Sequence, residues 1–241
     1  MSGGSGTDSL SAARRLIVAL DFPAPGDAQA FATRLEALPV VYKIGLELIY
    51  AGGLTLARDL VARGRSVFLD AKLLDIPNTV ERAVASASQL GLSFITVHGQ
   101  DRKTLDAALR GRSGGNMKLL AITVLTSTDV ADLREQGIAA APEEIVLRRA
   151  QLAADAGFDG VVASPREAAA IRQALGNKLL IVTPGIRPSG TAASDQARIA
   201  TPGDAIRAGA DYLVVGRPIT TAADPVAAAN AIVEEIGAAA S

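Results

Sequence analysis

Asp70 and Lys72 stand two positions apart in the segment FLDAKLLDI, Phe68 to Ile76, with a further carboxylate at Asp75. Residues two apart in a strand project to one side, so at a strand end these two opposite charges point together. Lys43, in the run VVYKI, brings the set to two cations and two anions. Charges at the rim of an apolar sheet are costly unless they compensate one another. Two readings follow. The four are a structural ion network that plugs the end of the sheet, or they are a preorganised electrostatic site. In the second case a lysine kept protonated between carboxylates delivers its proton to a carbon on which negative charge develops. The residues by themselves leave both open.

A second candidate lies near the end of the chain, in VTPGIRP from Val182 and VVGRPIT from Val214. Glycine lets backbone N–H groups approach an oxyanion, and arginine offers a phosphate dianion two parallel hydrogen bonds. Gly216 and Arg217 could equally be a simple turn into the last helix. Their position after the last strand of an α/β protein favours phosphate.

Composition removes several classes of function. The 24 Lys and Arg against 25 Asp and Glu give no broad positive field, so nucleic acid is not an expected partner. The chain has no cysteine and one histidine, His98, which rules out disulfides, thiolate chemistry and the usual zinc sites. The apolar run Leu16 to Leu20 ends at Asp21, too short for a secretory signal or a membrane span. No membrane partner is expected, and a cytoplasmic location is. Residues 1–9 begin MSGGSG and read as a flexible leader.

Hydrophobic residues make up 49% of the 241, enough for a substantial core. Eight short apolar runs begin at Leu16, Val40, Ser66, Phe94, Leu119, Gly160, Leu179 and Tyr212. Helix-like segments separate them, starting near Asp27, Leu54, Asn78, Pro142 and Pro165. Asn78 with Glu81 reads as a capping box, Pro142 and Pro165 as first-turn prolines, and Gly91, Gly157 and Gly176 as helix stops. Parallel strands need crossovers, and crossover helices bury both faces of the sheet. Eight such units predict a single-domain α/β fold over residues 10–241, a closed (β/α)8 TIM barrel. An open doubly wound sheet is disfavoured, since the first turn, DFPAPGD, lacks the glycine-rich dinucleotide fingerprint. TSTDVADLREQGIAA, between the fifth and sixth strands, should be a long loop with a short helix near the active face.

In such barrels the site lies at the carboxyl ends of the strands. Those ends are polar here: Asp21, Lys43, Asp70 with Lys72, His98, Thr126 with Ser127, Pro184 with Gly185, and Gly216 with Arg217. One polar residue at a strand end is ordinary loop chemistry, but the whole set points to a site.

In order and spacing, LIVALDF, VYKIGLEL, FLDAKLLDIPNT, AITVLTST, VTPGIRP, DQARIATP and VVGRPIT resemble the orotidine 5′-phosphate decarboxylase family. The D-x-K-x-x-D core alone is shared with related sugar-phosphate barrels. The resemblance implies conversion of orotidylate to UMP and CO2 with neither metal nor cofactor, by a homodimer that binds a small nucleotide. It implies that Lys43, Asp70, Lys72 and Asp75 form the catalytic array, with Asp75 and Thr79 reaching across to the neighbouring subunit's site. Lys72 would protonate C6 of the pyrimidine, and Asp70 would lie against the departing carboxylate. Asp21 and Lys43 would hold ribose hydroxyls, Thr126 or Ser127 would contact the base, and Ile76 and Pro184 would line the substrate. Gln196 would bridge phosphate and base, with Arg187, Gly216 and Arg217 completing the phosphate site.

The chain departs from the family pattern at Leu74, where histidine is common, and after strand four, where His98, Gly99, Gln100, Asp101 and Arg102 replace a His-Ala-x-Gly-Gly turn. A hydrogen-bonded structural role is the expectation for His98. Two rivals share the barrel. A Mg-dependent sugar-phosphate decarboxylase or lyase would carry an acidic metal ligand where this chain has Lys43. A non-catalytic nucleotide-binding barrel would be expected to lose part of the array.

Overall fold

The eight apolar runs form eight strands: β1 (Leu16–Ala19), β2 (Val41–Ile44), β3 (Ser66–Leu73), β4 (Phe94–His98), β5 (Lys118–Ile122), β6 (Gly160–Val162), β7 (Leu180–Thr183) and β8 (Tyr212–Val215). They come from a computed structural model that describes residues 12–112, 114–188 and 200–240. Each strand pairs in parallel with the next, and β1 also pairs with β8, which closes the ring into a single-domain (β/α)8 barrel. The leader and Gln196 lie outside the described residues.

Alternation along the strands sorts side chains into two cores. Ile17, Val41, Phe68, Phe94, Leu120 and Val182 fill the barrel interior. Phe94 sets its ring edge-on against Phe68 and Tyr212, with centroids 5.9 and 5.2 Å apart. Alternate residues such as Leu16, Val18, Tyr42, Leu69 and Ile95 pack outward under the helices. Burial on both faces is what makes these strands read as unbroken apolar runs.

The covering helices are α1 (Pro25–Arg34), α2 (Leu54–Ala62), α3 (Pro77–Ser88), α4 (Arg102–Arg112), α5 (Val130–Glu135), α6 (Pro142–Ala156), α7 (Pro165–Leu175), α8 (Pro202–Arg207), α9 (Arg217–Thr220) and α10 (Pro225–Ala240). Pro142 and Pro165 occupy first turns as expected, and Gly157 ends α6 at φ 94°, a conformation that favours glycine. α5 is the short helix expected between the fifth and sixth strands. It is capped by reciprocal hydrogen bonds between Asp129 and Asp132.

The capping box expected at Asn78 and Glu81 does not form. Pro77, with its preset φ and no N–H, takes the first helical position, so Ile76 becomes the cap residue. Glu81 instead accepts a 2.8 Å hydrogen bond from Arg110 on α4. Pro25 likewise starts α1 two residues ahead of Asp27. Among the described residues, no helix is long and apolar enough to cross a membrane.

Candidate active site

The barrel alternation that buries Val41 and Phe68 brings Lys43, one inward position further along β2 and level with Phe68, to the mouth of the interior. Lys43 is buried there, with its ammonium 3.2 Å from Asp21 Oδ1 and 3.7 Å from Asp70 Oδ2. Lys72 Nζ donates to the same Asp70 Oδ2 at 2.6 Å. The charges therefore alternate along a chain, Asp21, Lys43, Asp70, Lys72. Gly45 makes room for it, since a Cβ there would stand 3.2 Å from the Lys43 ammonium.

Simple strand alternation does not by itself aim Asp70 and Lys72. Leu69 pairs with Ile95 and Leu73 with Val97, so three residues of β3 bulge opposite the single residue Thr96 of β4. Within the bulge Lys72 adopts φ 47°, the one non-glycine residue among those described with a left-handed backbone. That conformation costs an L-residue about 1–2 kcal/mol, so the surroundings must hold it. Thr96 is fully buried. Its hydroxyl accepts from the Lys72 backbone N–H and donates to Asp70 Oδ1, both at 2.9 Å. Sequence reasoning passed over Thr96 and Gly45. The available signal for Thr96 was a hydroxyl in the otherwise apolar run FITV.

Burial pushes the Asp70 carboxyl up, but the ammonium groups of Lys43 and Lys72 and the hydrogen bonds from Lys72 and Thr96 together hold it below the usual carboxylate range. Asp70 is thus an anion held by cations in a largely desolvated place. The cavity in front of it is lined by the charged Asp21, Lys43, Asp70 and Lys72 and by the apolar Ile122, Val124, Val162 and Val214. Thr126, Pro184, Gly185, Arg187, Gly216 and Arg217 complete the wall.

Several expected site residues lie elsewhere within one chain. Asp75, Ile76 and Thr79 are exposed and do not line the cavity. The Asp75 carboxylate accepts a 2.6 Å hydrogen bond from the Ile76 N–H, because this segment turns away from the mouth to start α3. Asp21 takes the fourth place in the chain of charges. Ser127 is exposed and outside the cavity lining, where its neighbour Thr126 is found.

His98 is half-buried at the end of β4, and its ring makes no hydrogen bond among the described residues, contrary to expectation. Its surroundings are cationic. Burial first, then Arg149 and Lys72, pull its pKa below 6.5 against a smaller opposing pull from Asp70. Arg149 is committed to the Thr123 carbonyl at 2.5 Å. The altered loop after β4 has a structural purpose, because Asp101 accepts from the Thr104 backbone N–H at 2.9 Å and from its hydroxyl at 2.8 Å, capping α4.

A closed (β/α)8 barrel with alternating lysines and aspartates at its mouth, and an arginine and glycine after the last strand, defines a class of enzymes acting on small phosphorylated substrates. A model of the family described as "Orotidine 5'-phosphate decarboxylase / HUMPS family" matches residues 14–232. The chain belongs to that family. It is 55% identical over 229 residues to the orotidine 5'-phosphate decarboxylase of Rhodopseudomonas palustris (strain BisA53), covering 95% of this chain and 97% of that one. It is 54% identical over 233 residues to the protein of the same name from Methylobacterium sp. (strain 4-46), covering 95% and 98%. The crystal structure of orotidine 5'-phosphate decarboxylase from Lactobacillus acidophilus superposes with a TM-score of 0.82 at 38% identity, covering 92% of this chain and 99% of that one.

Because His98 is the one histidine, its titration can be read without assignment. Proton NMR should give an imidazole midpoint below 6.5, the ordinary value. As pH falls through 6.5 the unfolded chain takes up this proton before the folded one, so stability declines there, and His98→Gln removes that part of the slope. A midpoint at or above 6.5 contradicts the combined effect of burial and the Arg149 and Lys72 charges.

Proposed function

We propose that the chain decarboxylates orotidine 5′-phosphate to UMP and CO2, a step of pyrimidine biosynthesis, using its own charged side chains as the catalytic groups. The observation that carries this reading is the partly buried Asp70 carboxylate clasped by Lys43 and Lys72 at the mouth of the barrel. Loss of CO2 leaves an electron pair on C6 of the pyrimidine, in the plane of the ring, where the ring does not delocalise it. The Lys72 ammonium stabilises that charge as it forms and gives C6 a proton. The neutral amine then recovers a proton from solvent. An ammonium already oriented by Asp70 beside an apolar wall does this with little reorganisation.

The resemblance implies the other roles, and the residues named next for them also line the cavity. Asp21 and Lys43 hold ribose hydroxyls, Thr126 faces the base beside Pro184, and Arg187, Gly216 and Arg217 take the phosphate. Ser127, Ile76 and Gln196 are assigned by resemblance alone. Phosphate binding far from the reacting carbon supplies energy that orders the site, so it contributes to turnover as well as to affinity. A Mg-dependent sugar-phosphate lyase of the same barrel group would need an acidic ligand where Lys43 stands, and a buried ammonium repels Mg²⁺.

We further propose that the active species is a homodimer in which Asp75 and Thr79 complete the neighbouring site. Asp75 sits between Leu74 and Ile76, which are 51% and 67% exposed, and Tyr50 is 87% exposed. Large apolar side chains left in water in the segments after β2, β3 and β5 favour association at that end of the barrel.

Orotidylate absorbance should change on mixing with the protein and persist after thorough EDTA treatment. Lys72→Ala should lower turnover by at least roughly 10²- to 10⁴-fold, since proton and charge are both lost. Near-normal turnover by that variant rejects the assignment of Lys72, and strict Mg²⁺ dependence rejects the metal-free reading. Mixing inactive Lys72→Ala and Asp75→Ala proteins should restore about one quarter of wild-type activity. Half the dimers are then hybrids, each with one intact site of two. No recovery after verified subunit exchange argues for a site within one chain.

A further inference from the structure

We propose that Thr96 is the positioning residue of the charged array, holding the Lys72 backbone and the Asp70 carboxylate together through one hydroxyl. This rests on the function proposed above. Asp70 can only accept hydrogen bonds and the Lys72 N–H can only donate one. One side-chain atom that accepts from the second and donates to the first must be a hydroxyl, and Thr96 Oγ1 does both at 2.9 Å.

Each bond fixes something the chemistry needs. In the bulge, three residues of β3 lie opposite one of β4, so the Lys72 N–H turns to a side chain of β4 for its partner. The bond from Lys72 N to Thr96 secures the left-handed backbone at φ 47° that sends the side chain back over Asp70. The bond to Asp70 Oδ1 fixes the rotation of the carboxylate. Its other oxygen, Oδ2, is thereby turned toward both Lys72 at 2.6 Å and Lys43 at 3.7 Å. Thr96 lines no part of the cavity and so acts through these two residues. As a β-branched residue on a paired strand, fully buried, it is restricted in χ1, which makes it a rigid peg.

Thr96→Val keeps the shape and removes both bonds, while Thr96→Ser keeps both and removes only a methyl group. With orotidine 5′-phosphate as the probe, Thr96→Val should lose about 10²-fold in kcat, the scale of a roughly 1 Å misplacement of a catalytic group. KM and the affinity for UMP should stay within about threefold, because the phosphate end is untouched. Thr96→Ser should stay within about threefold of wild type in kcat, and Thr96→Ala should repeat the Val pattern if the Val variant does not fold, with thermal melts as the check. Wild-type kcat in a folded Val or Ala variant overturns the proposal. So does equal loss in kcat and UMP affinity, or a Ser variant as impaired as the Val one. A wild-type chain inert toward orotidine 5′-phosphate overturns the function and this role together, whereas an active wild type with an active Val variant overturns this role alone.

Discussion

The arrangement depends on one carboxylate, Asp70, kept ionised although it is partly buried. Desolvation alone would push its proton back on, and one neighbouring cation would leave a buried pair with little margin. Two ammoniums and a hydroxyl hold the charge instead. In return the anion fixes Lys72 as a cation at a defined point of the cavity wall. Asp21, more exposed, balances Lys43 from the rim. The charges of Asp21, Lys43, Asp70 and Lys72 sum to zero, so the array balances within itself.

The barrel makes such a place available. Its interior is packed by Ile17, Val41, Phe68, Phe94, Leu120 and Val182, which leaves the inward positions beyond that layer facing a cavity at the carboxyl ends of the strands. Lys43 reaches the cavity by ordinary alternation on β2. Lys72 reaches it only through the β3 bulge and a backbone conformation disfavoured for any residue with a side chain. The strain is local and lies at the proton-donating lysine of the proposed mechanism.

Much of the fold was legible in the sequence because burial on both faces leaves a plain mark: eight apolar runs, with polar residues at their carboxyl ends. Lys43, Asp70, Lys72, Thr126, Gly216 and Arg217 meet in one cavity as strand-end reasoning requires. What escaped follows from forces that leave no periodic signature. Thr96 is one hydroxyl in an apolar strand, and its importance depends on a bulge in the neighbouring strand. Asn78 and Glu81 fit a capping pattern, but Pro77 starts the helix earlier. His98 was expected to be hydrogen-bonded, whereas its ring has no such partner among the described residues, and burial together with Arg149 and Lys72 lowers its pKa. Asp75 stands on an exposed turn outside the cavity lining, so the place that the resemblance implied for it requires the second copy of the chain proposed above.

The most direct test is a crystal structure of the protein with UMP bound. The phosphate should sit at Gly216 and Arg217, and C6 of the pyrimidine about 3–3.5 Å from Lys72 Nζ, with that nitrogen still bonded to Asp70. Asp75 of a second copy should complete the site. UMP seated with C6 facing away from Lys72, or Lys72 released from Asp70 into solvent, would contradict the proposed mechanism.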